Sequence, residues 1–290
     1  MEFGVVVRQV GTGWEGTRRA AEAVEEAGFD SVWLIDHLLG FPPQAGILEA
    51  WTALSGLAVA TSRVGLGAQV FCQSFRQPAL LAKMATTLDL ISGGRLHFLV
   101  GAGWWEEEYR AFGYQFPPPG VRVGEVEDAV RVLRGLWDAG DRPFTYEGRH
   151  ARVVDALNLP APERRIPIGV GGAGPRMLDL AARLADEWNC PAAALPAYPQ
   201  LRQTLETALA DAGRSIRRSC QIVFAPGDAD VSGLAAFNPD LGLRGSTQQM
   251  VDRVGELSAM GIDGLYGMPA GRRAIDAVAE ALPELRAAAG

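Results

Sequence analysis

Eight apolar runs of strand length recur along the chain, with helically spaced segments between them, and nothing else restricts the fold as strongly. The runs cover residues 3–7, 31–35, 64–70, 96–101, 166–170, 187–190, 220–225 and 264–268. Between them apolar residues step by three and four: Leu81, Met84, Leu88 and Ile91; Val123, Val126, Val130, Leu133 and Trp137; Val251, Val254, Leu257 and Gly261. Such steps line one face of a helix. Strands that alternate with helices build parallel sheets, and short apolar runs suit strands buried on both faces. Eight such units within 290 residues fit a closed barrel better than an open sheet. The expectation is an α/β chain, a (β/α)8 TIM barrel formed as a single domain over residues 1–290.

An internal echo supports it. Val24-Glu-Glu-Ala-Gly-Phe-Asp-Ser-Val-Trp33 reads like Leu257-Ser-Ala-Met-Gly-Ile-Asp-Gly-Leu-Tyr266. Each is a helix end, a capping glycine, and an aspartate leading into a strand. Excursions interrupt the alternation, with insertions expected after strands 4 and 7. One spans 104–119 and ends in Phe116-Pro-Pro-Pro-Gly120; further on, 144–154 reads as a small hairpin turning at Glu147-Gly148. The Gly-, Asp- and Pro-rich stretch 226–245 follows a strand end, where an active-site lid belongs.

Bulk properties remove several classes. Apolar residues make up 48% and charged residues 21%, with a net charge of −7. That balance argues against nucleic-acid and anionic-membrane partners. No run of about 18 apolar residues occurs, and the opening Met1-Glu-Phe-Gly-Val5 reads as a strand and not a leader. Cys72, Cys190 and Cys220 are odd in number and widely spaced, as expected for reduced thiols in the cytoplasm. Lys83 is the only lysine and lies in a helical stretch, so Schiff-base chemistry is set aside. His37, His97 and His150 fall on separate elements, and neither metal-ligand spacing nor a Gly-X-Ser-X-Gly elbow occurs. No metal is expected.

The chemistry-bearing segments follow the strand runs. Ile166-Pro-Ile-Gly-Val-Gly-Gly-Ala-Gly-Pro-Arg176 is a strand, a glycine turn and a helix opening on proline. Free amides at a helix N-terminus make an anion site, and glycines let a phosphate approach the backbone. Such a phosphate can belong to substrate or to cofactor. Asp36 and His37 directly follow the second strand. His37 can bind a ligand or donate a proton, with Asp36 fixing its tautomer or capping backbone; a solvent-facing histidine beside a capping aspartate is the bland alternative. Gly67 and Ala68 invite a bulge or close backbone approach, and 71–78 reads as a plain loop. Gly101-Ala-Gly-Trp-Trp105 ends the fourth strand, where glycines admit a flat ligand and two adjacent tryptophans cannot both face the core. Glu106, Glu107 and Glu108 read as first-turn helix charges. With a phosphate nest, aromatic walls and no nucleophile, the set suits a bound redox cofactor.

These motifs together resemble the bacterial luciferase-like monooxygenase superfamily, in its deazaflavin (coenzyme F-420)-dependent oxidoreductase branch. The likeness rests on Gly28-Phe-Asp-Ser-Val-Trp-Leu-Ile-Asp-His37, Leu48-Glu-Ala-Trp-Thr52, Ser74-Phe-Arg-Gln-Pro-Ala-Leu-Leu-Ala-Lys-Met84 and Leu90-Ile-Ser-Gly-Gly-Arg-Leu96. It continues through Gly101-Ala-Gly-Trp-Trp-Glu-Glu-Glu-Tyr109, Gly169-Val-Gly-Gly-Ala-Gly-Pro175 and Ala181-Ala-Arg-Leu-Ala-Asp-Glu-Trp-Asn189, and more loosely through Gly245-Ser-Thr-Gln-Gln-Met250. The resemblance implies hydride transfer between coenzyme F-420 and a small, largely apolar organic substrate. It implies a non-proline cis peptide at Gln69-Val70 beneath the cofactor ring, with Gly101, Ala102 and Gly103 beside it. The cofactor phosphate is expected on Gly171, Gly172, Ala173 and Gly174. By the same likeness His37 acts on substrate with Asp36 behind it. Phe41, Phe71, Trp104 and Trp105 are the candidates for the walls of the substrate pocket. Trp104 stands where sugar-phosphate dehydrogenases of this branch carry a catalytic Glu, which disfavours sugar-phosphate oxidation. The alternatives are an FMN-dependent two-component monooxygenase of the same superfamily and a non-catalytic flavin- or deazaflavin-binding protein. A homodimer is a further expectation from the family.

Overall fold

The computed structural model describes residues 1–290. Its eight parallel strands are β1 (Glu2–Val6), β2 (Ser31–Leu34), β3 (Gly65–Ala68), β4 (Leu96–Gly101), β5 (Ile168–Gly171), β6 (Glu187–Cys190), β7 (Arg217–Pro226) and β8 (Gly264–Pro269). They alternate with α1 (Gly13–Glu26), α2 (Ala50–Ala60), α3 (Pro78–Ser92), α4 (Pro119–Asp138), α5 (Pro175–Leu184), α6 (Tyr198–Ala212), α7 (Thr247–Ala259) and α8 (Arg272–Ala288). Each strand pairs with the next, and β8 returns to β1 with Glu2 opposite Gly264, so the sheet closes into a (β/α)8 barrel.

Side chains alternate across each strand. The outward set, including Val5, Val32, Leu66, Phe98, Val170, Trp188, Ile222 and Leu265, joins the helix faces in one buried apolar cluster. The inward set is small: Val6, Trp33, Leu99 and Tyr266 form their own cluster. Trp33 fills the barrel because its neighbours on β1 and β3 are glycine; a Cβ on Gly4 or Gly67 would land on the indole. The close approach anticipated at Gly67 is therefore made by Trp33, a residue of the barrel itself.

Below Trp33 the interior is polar. Arg217 and Ser31 each bond the Glu2 carboxylate at 2.6 Å. Tyr266 donates to Glu187 at 3.1 Å, Ser219 also bonds Glu187, and Asn189 donates to Ser219 at 2.9 Å. The run 187–190 is thus apolar only on its outward residues, Trp188 and Cys190.

The sequence echo has a physical cause. Both helix ends close on a left-handed glycine, Gly28 (φ 87°) and Gly261 (φ 75°). The following amide then bonds back to the helix, Phe29 to Val24 and Ile262 to Leu257. The next residue, Asp30 or Asp263, accepts from the first amides of the preceding strand, Phe3 or Arg218, at 2.8 Å. Asp186 does the same for Ile168 before β6.

Of the helical steps, Leu81 and Leu88 are buried, but Ile91 is 51% exposed because α3 turns it past the core. The segment after β4 carries a short helix, Glu106–Ala111. The expected hairpin pairs Phe144–Glu147 with Arg152–Ala156 between α4 and β5. Within 226–245, two 3-10 turns lead to Leu243–Gly245, which pairs in parallel with the end of β7. No helix is long and apolar enough to cross a membrane.

Candidate active site

Asp36 and His37 leave β2 at the mouth of the barrel, but they do different work. Asp36 is buried, takes two bonds from Arg76 at 2.6 and 2.8 Å, and accepts the Cys72 amide at 2.8 Å. Arg76 also bonds Glu49, which caps α2 by accepting the Trp51 and Thr52 amides at 3.0 and 2.6 Å. Asp36 therefore ties the end of β2 to the loop after β3. The expectation that it sits behind His37 and fixes its tautomer is corrected, since its carboxylate is fully engaged by Arg76 and Cys72.

The partner of His37 is Glu108. The Glu108 carboxylate lies 3.0 and 3.1 Å from His37 Nδ1 and accepts the amides of Leu38 and Leu39 at 2.6 and 3.0 Å. Burial pushes this carboxyl up, but the His37 hydrogen bond and the two amides outweigh it and hold it below its usual range. An ionised carboxylate at Nδ1 requires the proton there and leaves Nε2 for a ligand. Sequence reading missed this role. Glu106 and Glu107 are exposed first-turn charges, as expected, but the third glutamate turns inward beside buried Tyr109. Only the packing of this short helix against the β2 loop distinguishes it.

Three rings surround His37. Phe41, Trp104 and Trp105 stand edge-on to the imidazole, with centroids at 5.1, 5.7 and 5.8 Å. The fourth expected wall residue, Phe71, is not among them. It is 0% exposed and packs between Trp51 and Phe98 at 4.4 and 5.4 Å. Phe71 pairs opposite Val100 on β4, and both point outward into the helix layer.

The Gln69-Val70 peptide is cis. The Val70 side chain occupies the gap between two bare backbones: a Cβ on Gly101 or Gly171 would fall 2.5 or 2.7 Å from it. Gly103 is held at φ 69°, and the Tyr109 hydroxyl fills the space beside it while also donating to the Ala102 carbonyl at 3.4 Å. These glycines serve protein packing first. Both polar atoms of the Gln69 amide are buried with no partner in the chain, a cost that a polar ligand would relieve.

The glycine turn after β5 is narrower than expected. Gly171 still belongs to the strand, and the Gly172 amide donates to the Asn189 carbonyl at 3.2 Å. The amides of Ala173, Gly174 and Arg176 donate to no group in the protein. The open space beside Gly174 and the uncapped start of α5 fit a phosphate. No group of three potential metal ligands occurs.

Fold and site together define a (β/α)8 barrel whose mouth holds a carboxylate-clamped histidine, an aromatic wall and an anion-ready helix start. The chain belongs to the luciferase-like monooxygenase family, whose model matches residues 1–235. It is 34% identical over 195 residues to an F420-dependent glucose-6-phosphate dehydrogenase of Microbacterium testaceum, covering 66% of this chain and 57% of that one. It is 28% identical over 260 residues to the pyrimidine monooxygenase RutA of a Bradyrhizobium species, covering 82% and 71%. The chain thus spans less than two thirds of the glucose-6-phosphate dehydrogenase it matches. An F420-dependent secondary alcohol dehydrogenase, solved with an F420–acetone adduct, superposes with a TM-score of 0.87 at 22% identity, covering 98% of this chain and 99% of that one.

Proposed function

We propose that this chain is an oxidoreductase that moves a hydride between coenzyme F-420 and a small organic substrate. The carrying observation is His37, held at Nδ1 by an ionised Glu108 and ringed by Phe41, Trp104 and Trp105. Family membership and the F420-dependent relative support the cofactor. The Ala173, Gly174 and Arg176 amides would hold its phosphate, and Val70, Gly101 and the unpaired Gln69 amide would border its ring.

When bound, the coenzyme supplies or takes up the hydride. The chain supplies the rest. Glu108 keeps the proton of His37 on Nδ1 at rest and stabilises the imidazolium when Nε2 also binds a proton. His37 Nε2 gives that proton to the substrate oxygen, or removes it in the reverse direction. The aromatic rings and a substrate lying against them would together shield this transfer from water. Asp36 and Arg76 hold the end of β2 from which His37 projects.

The relative RutA favours a second reading, an FMN-dependent monooxygenase. Titration with each cofactor, followed by tryptophan fluorescence, separates the two. Tight FMN binding with none for the deazaflavin would overturn the first. His37→Ala separates an enzyme from a mere binder: affinity should persist while turnover falls on the order of 10²- to 10⁴-fold. We also propose that residues 1–290 act as one domain, as a homodimer, in a reducing cytoplasm. The three free, buried cysteines support the compartment, and light scattering tests the dimer.

A further inference from the structure

The rings beside His37 carry information about what they receive. Trp105 is the middle of a three-ring ladder, with Phe41 at 4.8 Å and 20° and Trp104 at 5.9 Å and 15°. The outer rings are open, Trp104 66% and Phe41 45% exposed. An indole face left to water beside a reactive imidazole gains burial when an apolar group covers it, and a flat aromatic group adds a stacking preference.

The three rings carry no charge of their own. The guanidinium–ring contacts of the chain fall on Trp51, Phe116 and Phe3, none of them in the ladder. The only lysine, Lys83, bonds the Leu159 carbonyl at 2.8 Å. Glu108 is closed over by His37, Leu38 and Leu39, and Glu106 pairs with Arg110 at 2.8 Å. A phosphate or carboxylate resting on these faces would give up hydration against uncharged rings. A neutral aromatic group meets only complementary faces.

Building on the hydride-transfer reading, we propose that the substrate is a neutral aryl ketone or the matching aryl carbinol. Its ring stacks on the open face of Trp104, and its oxygen meets His37 Nε2. In the reducing direction the carbonyl carbon gains a C–H bond from the hydride of the reduced coenzyme. The oxygen gains an O–H bond from the His37 proton as the C=O π bond breaks, and the coenzyme is left oxidised. The reverse reaction oxidises the carbinol and returns the proton to His37.

Acetophenone and cyclohexyl methyl ketone provide a pair matched in size that differs in its π face. Their kcat/KM values are measured with reduced coenzyme F-420, and their Kd values by calorimetry with the oxidised coenzyme bound. A stacking contact of ordinary strength predicts a preference of roughly three- to tenfold for acetophenone in both quantities. Trp104→Leu should bring that preference close to unity, and Trp104→Phe should keep part of it. Equal values in the parent protein, an undiminished preference in Trp104→Leu, or binding of neither ketone would overturn the proposal. Tighter binding of trimethylphenylammonium than of tert-butylbenzene would also overturn it, by marking a cation cage. A Trp104-dependent preference in Kd without turnover would leave the stacking intact and remove the hydride-transfer reading instead.

Discussion

The imidazole of His37 owes its orientation to a carboxylate 71 positions further along the chain. Glu108→Gln removes the negative charge at Nδ1 while keeping the shape, so kcat should fall, by less than in His37→Ala, with substrate KM changed little. The Glu108 pKa is lowered in the fold, so its stabilising contribution is present above the ordinary value of about 4.3 and is lost as pH falls through the folded value. Acid melts of the parent and Glu108→Gln should therefore converge below about pH 4. Curves that stay parallel there would refute the ionised clamp. Of the residues involved, His37, Phe41, Trp104 and Trp105 were legible because polar and aromatic groups just past apolar strands have few structural uses. Glu108 was not, because three consecutive glutamates look alike until a helix turns one of them inward. Phe71 misled because facing direction depends on strand pairing, which residue type does not report.

Among the elements, the turn before α5 was recognisable from its glycines, yet which amides stay free depended on a neighbour. Asn189 on β6 takes the Gly172 amide. Gly172 sits at φ 142°, a conformation that L side chains rarely adopt, whereas Gly174 has ordinary geometry and open space beside it. Gly172→Val should therefore lower both stability and cofactor affinity. Gly174→Ala should leave the melting temperature within a degree or two while weakening the coenzyme, and unaltered affinity in Gly174→Ala would place the phosphate elsewhere. The Asp36–Arg76–Glu49 link between β2, the loop after β3 and α2 was invisible in the sequence. Asp36→Ala leaves a buried guanidinium with one partner and should cost about 3–5 kcal/mol in chemical denaturation. A loss below 1 kcal/mol would show that Glu49 alone suffices.

Across the whole molecule, the barrel floor holds Glu2, Glu187, Arg217 and Tyr266 where apolar layers would ordinarily stack, with His97 Nδ1 3.8 Å from Glu2. Burial raises the Glu187 pKa, so the folded state binds a proton that the unfolded state releases. Its stabilisation is complete below the unfolded value of about 4.3 and declines as pH rises toward the folded value. Glu187→Gln should consequently gain stability relative to the parent as the pH rises above about 4.3, at no more than about 1.4 kcal/mol per pH unit. A pH-independent difference would mean that Glu187 is ionised throughout. What the sequence determined by itself was local and periodic: the eight strand–helix units, the closed parallel barrel, the glycine turn at a helix start and the aromatic mouth. Each follows from the spacing of apolar residues and from the backbone freedom of glycine and proline. The tertiary structure alone decided that Glu108 holds His37, that Asp36 belongs to Arg76, that Phe71 faces outward and that charge fills the barrel floor. Those outcomes depend on which strands pair and in what register, because a shift of one residue exchanges the inside of a strand for its outside.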